Sequence, residues 1–288
     1  MENIFEETKF IMKKYGIKAN KSLGQNFLVN SEVVDSIVDS SEISKEDMII
    51  EIGPGLGTLT KYLLEKAGKV LCIELDTRMI KILEDRFENY ENFEVINQDV
   101  LKVNLNEIIK ENKKDGKIKN VKIVANLPYY ITTPIIMKLL EEKLDIQSIT
   151  VMIQKEVADR LIETPGGKDT GAITYSVYYY CESEKIMEVP NSSFIPEPEV
   201  TSEVIKMILR NEPAVELENP KVMFMIIKSA FMQRRKTLLN ALTNTKVFLS
   251  KNEGLQILKK LNLDENVRAE NLSIYDFANI AKSICKNG

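Results

Sequence analysis

The chain has 288 residues, enough for one large or two moderate domains, and its 44% hydrophobic content supports a proper core. It has no histidine, which excludes a Ser-His-Asp hydrolase, a His-ligated metal centre and an imidazole general base. The net charge of −4 argues weakly against a generic nucleic-acid binder, although residues 221–263 carry nine Lys or Arg against one acid, Glu253, a local balance of +8.

The opening "MENIFEETKFIMKKYG" is amphipathic and charged and lacks the apolar centre of a secretion signal. No apolar run approaches the ~20 residues of a membrane span, so a soluble, cytoplasmic protein without membrane association is expected. Cys72, Cys181 and Cys285 are far apart and form no C-x-x-C pair, so neither a zinc site nor a disulfide framework is expected.

Short β-rich runs alternate with helical patterns. "MIIEIG" (48–53), "KVLCIEL" (69–75), "FEVIN" (93–97), "VKIVA" (121–125) and "SITVMI" (148–153) read as strands. "LTKYLLEKAG" and "TRMIKILEDRFENY" read as helices between the first three. This βαβα rhythm predicts an α/β fold with a doubly wound, mostly parallel sheet. "AITYSVYYYCE" and "SEVIKMIL" read as two more strands with no helix between them, an antiparallel finish. Seven strands ending so resemble the methyltransferase version of the Rossmann architecture. After Arg210, "NEPAVELENP" reads as a linker, and the rest has only helical periodicity in "MFMIIKSAFMQRRKTLLNAL", "GLQILKKLNL" and "IYDFANIAKSI". The expected domains are a Rossmann-like 1–210 and a small all-helical 211–288.

The chemistry concentrates at predicted strand ends. "IIEIGPGLGTLT" puts Gly53, Gly55 and Gly57 at a strand-to-helix turn, either a plain tight turn or one that lets the backbone approach a ligand beside a helix N-terminus. The second strand ends at Glu74, placed to accept both hydroxyl protons of a ribose. The third ends near Asp99, placed to accept from an adenine amino group, and the fourth at Asn126. An NAD site prefers G-x-G-x-x-G, and Thr58 stands at the sixth position here. S-adenosylmethionine fits better, having a ribose, an adenine and a carboxylate but no pyrophosphate.

"VANLPYYITTPI" supplies the reacting corner. Pro128 has no N–H and pushes Leu127 toward an extended conformation, so the Leu127 carbonyl can leave the sheet ladder beside the Asn126 side-chain oxygen. Two converging acceptors suit an exocyclic amino group, and Tyr129 offers a face for stacking. An adenine amino group is a poor nucleophile. Gripping both its hydrogens favours a pyramidal nitrogen and aims the lone pair at a sulfonium methyl. No general base is needed before attack, so the absence of histidine is no obstacle. Such a base must be unstacked, which an RNA hairpin loop offers at low cost. Phe194 in "SSFIPEPEV" is expected to be a second aromatic clamping that base with Tyr129 and so an RNA contact, a core residue being the alternative.

Six segments together, "KANKSLGQNFLVN", "IIEIGPGLGTLT", "VANLPYYITTPI", "FIPEPEVTSEV", "FMQRRKTLLNAL" and "RAENLS", resemble the successive motifs of the bacterial small-subunit (16S) ribosomal RNA adenine dimethyltransferases. The resemblance runs from about Lys18 to Phe277. It implies a class I S-adenosylmethionine-dependent methyltransferase domain with a helical C-terminal domain. It also implies dimethylation of N6 on two adjacent adenosines in a hairpin loop near the 3′ end of 16S rRNA, within the assembling 30S particle. By motif, Asn26 and Leu28 join Gly53, Gly55, Glu74, Asp99 and Asn126 as cofactor contacts; the first two rest on the resemblance alone. Relatives acting on large-subunit RNA typically carry Asn-Ile-Pro-Tyr where this chain has Leu127. Arg234, Arg235 and Lys236 of "QRRKT", in a helical pattern, are left for solvent or RNA phosphates. A competing role is an assembly checkpoint with a vestigial pocket. Nothing suggests an obligate dimer, so a monomer is expected.

Overall fold

The structure, a computed structural model, describes residues 3–20, 23–167 and 169–287. In chain order the first part holds α1 (Ile4–Lys14), β1 (Phe27–Leu28), α2 (Ser31–Ser40), β2 (Asp47–Ile52), α3 (Thr58–Lys66), β3 (Lys69–Glu74), α4 (Thr77–Phe87), β4 (Phe93–Asn97), α5 (Leu105–Asn112), β5 (Asn120–Asn126), α6 (Thr132–Glu141), β6 (Ser148–Gln154) and α7 (Lys155–Ile162). There follow α8 (Ala172–Tyr180), β7 (Cys181–Val189), β8 (Phe194–Ile195), β9 (Ser202–Leu209), α9 (Pro220–Phe231), α10 (Leu238–Asn244), α11 (Lys251–Lys260) and α12 (Ile274–Asn287). None of the described helices is long and apolar enough to cross a membrane.

The seven-stranded sheet has the order β4-β3-β2-β5-β6-β9-β7. Strands β2 to β6 run parallel, and β9 pairs antiparallel with β6, with Ser148 opposite Ile208 and Gln154 opposite Ser202. β2 is buried along its whole length, as its near-continuous apolar run requires once helices cover both faces. The strand order reverses between β2 and β5, and the crevice beyond the carboxyl ends at such a reversal is where open α/β sheets bind ligands. The small β1–β8 pair sets Phe27 opposite Ile195 and Leu28 opposite Phe194.

Two compact units emerge, residues 1–158 with 183–209, and residues 159–182 with 210–288. The second therefore contains 159–182 in addition to the chain after 210. Most of "AITYSVYYYCE" is helix α8 rather than strand; the sheet's strand β7 starts only at Cys181. Its β-branched and aromatic residues carry strand propensity, but packing decides. Tyr175 and Tyr179, one helical turn apart, meet Phe231, Phe277 and Phe224 in the second unit's core. The Tyr175 hydroxyl donates to the carbonyls of Ala269 (3.0 Å) and Leu272 (2.7 Å), anchoring "RAENLS".

The long pattern "MFMIIKSAFMQRRKTLLNAL" is not one helix. It breaks into α9 and α10 around a turn at residues 232–237. Thr237 caps α10 by accepting from the Asn240 N–H at 3.4 Å. Arg234, Arg235 and Lys236 are exposed in this turn rather than on a helix, with no ion pair among the described residues.

Candidate active site

Leaving β2, the chain turns through Gly53, Gly55 and Gly57 into α3. Gly57 is the N-cap residue with φ 81°, a left-handed conformation, and a Cβ there would lie 2.6 Å from the Phe87 ring. A side chain is excluded on both counts, so the loop stays close to the sheet edge. Arg86 donates to the Leu56 carbonyl of this loop and pairs with Glu7 of α1 at 2.5 Å.

Glu74, at the end of β3, is 7% exposed. Its Oε2 accepts the Gly55 N–H at 3.2 Å and its Oε1 accepts the Asp76 N–H at 2.8 Å. Both oxygens are thus oriented by backbone at the mouth of the glycine loop. Burial pushes the carboxyl above its ordinary range, while those N–H groups pull it back. Asp76 caps α4 through Arg78 N–H at 3.0 Å and receives the Arg78 guanidinium, which with the other donors to it holds its carboxyl below the usual range despite burial. Gln25 Nε2 donates to Asp76 Oδ2 at 2.9 Å.

At the end of β5, the Leu127 N–H still reaches the Met152 carbonyl of β6 at 3.1 Å. Pro128, at φ −60° and ψ 131°, then turns the chain out of the sheet into a 3₁₀ turn at Tyr129–Ile131. Among the described residues nothing donates to the Leu127 carbonyl. Asn126 Nδ2 donates to the Asn26 carbonyl at 3.3 Å, and no described residue donates to Asn126 Oδ1. One end of the amide is fastened while its acceptor end is left available. The Tyr129 hydroxyl and Ser202 Oγ are 2.6 Å apart, which fixes the ring by its far edge.

These groups line one cleft. Asn26, Leu28, Gly53, Gly55, Glu74, Asn126, Leu127, Pro128 and Tyr129 all border it, so nine residues proposed from sequence converge. Asp99 does not border it. It stands at the same carboxyl edge, its Oδ1 capping Leu101 N–H at 3.0 Å. Of the two readings of Phe194, the structure takes the core one, a correction to the clamp. Phe194 is 2% exposed among Leu28, Val189 and Val204, because β8 turns it inward against β1. Lys21 and Ser22 of the "KANKSLGQNFLVN" segment lie outside the described residues.

Sequence reasoning passed over Gln25, Thr58 and Glu51, which also line the cleft. Glu51 is the clearest omission, because an acid inside "MIIEIG" is itself a signal. It is 2% exposed, its Oε2 accepts the Thr60 hydroxyl at 2.6 Å, and burial pushes its carboxyl up to about 7.

A reversed-order parallel sheet with one antiparallel strand, a glycine loop, a strand-end carboxylate and an Asn-Leu-Pro-Tyr corner together define a class I methyltransferase. The family model for ribosomal RNA adenine dimethylase matches residues 16–286, and the chain belongs to that family. It is 49% identical over 278 residues to ribosomal RNA small subunit methyltransferase A of Alkaliphilus metalliredigens, covering 96% of each chain. To the protein of the same name in Clostridioides difficile it is 47% identical over 277 residues, 96% of this chain and 94% of that one. Among solved structures, a dimethyladenosine transferase from Plasmodium falciparum aligns with a TM-score of 0.74 at 28% identity, covering 91% of this chain and 98% of that one. The 23S rRNA methyltransferase ErmE shares the fold, with a TM-score of 0.68 at 21% identity over 90% of this chain and 100% of that one.

Proposed function

We propose that the chain uses S-adenosylmethionine to dimethylate N6 of two adjacent adenosines in a hairpin loop near the 3′ end of 16S rRNA. It acts as a monomer on the 30S particle in the cytoplasm. The observation that carries this reading is the meeting, in one cleft, of a carboxylate with both oxygens oriented and an amide with its acceptor end unengaged. Glu74 suits the ribose hydroxyls, Gly53 and Gly55 let the backbone approach, and Asn26 and Leu28 border the same space. Asp99, with Oδ1 engaged as a cap and Oδ2 4.0 Å from the Lys102 ammonium, offers Oδ2 to the adenine amino group of the donor. Bound S-adenosylmethionine supplies an electrophilic methyl group.

The chain's own part is to hold the acceptor base. Asn126 Oδ1 and the Leu127 carbonyl accept the two hydrogens of the target amino group, and the Tyr129 ring stacks on the base. Orientation and matched electrostatics do most of the work. The methylated nitrogen is acidic and sheds its proton to water, which is consistent with a chain lacking histidine.

The test is methyl transfer to 30S particles from a strain lacking this gene, with mass spectrometry of the digested RNA. Dimethyladenosine at adjacent positions is expected. Glu74→Ala should weaken donor binding by about tenfold, the loss of charge-assisted hydrogen bonds. Product formed with undiminished donor affinity in that variant contradicts the site.

Arg234, Arg235 and Lys236 supply phosphate contacts in this reading. Replacing all three with alanine should weaken 30S binding and reduce the log-log salt slope by roughly two to three. An unchanged slope across a salt series removes them from the interface.

A further inference from the structure

We propose that Gln25 is a positioning residue that, through the chain segment it belongs to, orients the acceptor amide of Asn126. This rests on the reading of Asn126 as the group that grips the target base. Residues 24–28 run between the two halves of the cleft and are fastened to both. On the donor side Gln25 Nε2 reaches Asp76 Oδ2 at 2.9 Å. The same Asp76 donates its N–H to Glu74, so Gln25 is tied to the residue that orients the donor carboxylate. Gln25 Oε1 accepts the Asn20 N–H at 2.8 Å, which leaves only the Nε2 end to face Asp76.

On the acceptor side the next residue, Asn26, takes the Asn126 amide on its backbone carbonyl at 3.3 Å. Gly24 lies against the same corner. Its φ is +60°, and a Cβ there would stand 3.2 Å from the Tyr130 ring and 3.8 Å from Pro128. Consecutive residues therefore bond to opposite walls: a side chain to the donor wall and a carbonyl to the acceptor wall. A carbonyl is placed by the peptide on either side of it, and the Gln25 bond fixes the peptide that precedes Asn26. Phe27, the next residue, stays paired in the β1–β8 strands, so without that bond the Asn26 carbonyl shifts rather than comes free, and the anchor of Asn126 Nδ2 shifts with it. The free Oδ1 then loses its aim, although the amide itself is still present.

The consequence is a particular pattern of loss. Gln25 touches no proposed reacting atom, so its removal should lower turnover more than donor affinity. Three variants test this: Gln25→Ala, Gln25→Glu, and Gln25→Glu combined with Asp76→Asn. The first two remove the bond, the second by opposing two carboxylates. The third restores an amide–carboxylate hydrogen bond with donor and acceptor exchanged. Turnover is measured on 30S particles and donor affinity by calorimetry. The side-chain NH₂ resonances of Asn126 are followed by NMR in the protein without donor.

For Gln25→Ala the expected result is a kcat lower by about tenfold, the scale of a small misplacement, with donor affinity changed less than about threefold. The Asn126 NH₂ resonances should shift in both single variants and return toward their original positions in the double variant. Asn126 resonances unmoved by Gln25→Ala overturn the proposal, as does a loss confined to donor affinity. If Asn126→Ala itself leaves methylation intact, the acceptor reading fails instead. The resonances still report whether Gln25 positions that amide.

Discussion

Asn126→Ala is expected to lower kcat on 30S particles by about a thousandfold, far more than it lowers donor affinity. The size follows from losing one preorganised group aimed at the developing charge, which costs about 10²–10³ in comparable sites. The asymmetry follows from the structure. Among the described residues the Asn126 side chain bonds through Nδ2 to the Asn26 carbonyl and nothing donates to its Oδ1, whereas the oriented carboxylate of the donor side is Glu74. Asn126→Asp sharpens the assignment. It keeps an acceptor at the Oδ1 position but replaces the Nδ2 donor with an oxygen that faces the Asn26 carbonyl. Activity between that of the wild type and that of Asn126→Ala is expected, because the acceptor survives and its anchor does not. Equal activities for alanine, aspartate and asparagine at this position, measured by methyl transfer in single-turnover conditions, would falsify the acceptor role.

The sheet and most of this cleft were legible in the sequence because their signals are local. Parallel strands buried on both faces appear as near-continuous apolar runs, and the ends of β2, β3 and β5 carry polar residues or glycines where the sheet stops. Pro128 announced a departure from the ladder through its own covalent geometry. What was not legible depends on partners distant in sequence. Helix α8 has strand-like composition, and only the rings of Phe224, Phe231 and Phe277 decide that its tyrosines pack one turn apart. The turn at residues 232–237 contains neither glycine nor proline to mark it. Phe194 was expected in the clamp because an aromatic held beside prolines at the reacting corner looks presented to a base. Its antiparallel pairing with Leu28, far upstream, settles it as core in this structure. Gln25 was hidden for the same reason, since its partner Asp76 lies 51 residues away.

Glu51→Gln should make the protein progressively more stable than the wild type as pH rises, with a difference reaching about 3 kcal/mol above pH 8. Burial lifts the Glu51 carboxyl from an ordinary 4.5 to about 7, with the nearby Glu74 charge adding to the rise and the Thr60 hydroxyl opposing it. A carboxyl raised in this way binds its proton more tightly in the folded protein than in the unfolded chain. Folding is therefore favoured at low pH, and the advantage is lost as pH climbs from about 4.5 to about 7. Glutamine cannot ionise, so the variant does not lose it, and its side-chain oxygen can still accept from Thr60. Glu74, also raised by burial, contributes a loss of the same sign in both proteins, and its repulsion with Glu51, which glutamine removes, adds to the difference. Urea unfolding of wild type and variant at intervals from pH 4.5 to 8.5 measures the difference directly. A difference that stays flat would mean that Glu51 keeps its charge in the folded state. The wall of the cleft behind the glycine loop would then hold a second fixed negative charge beside Glu74, rather than a carboxyl that is neutral for part of the physiological range.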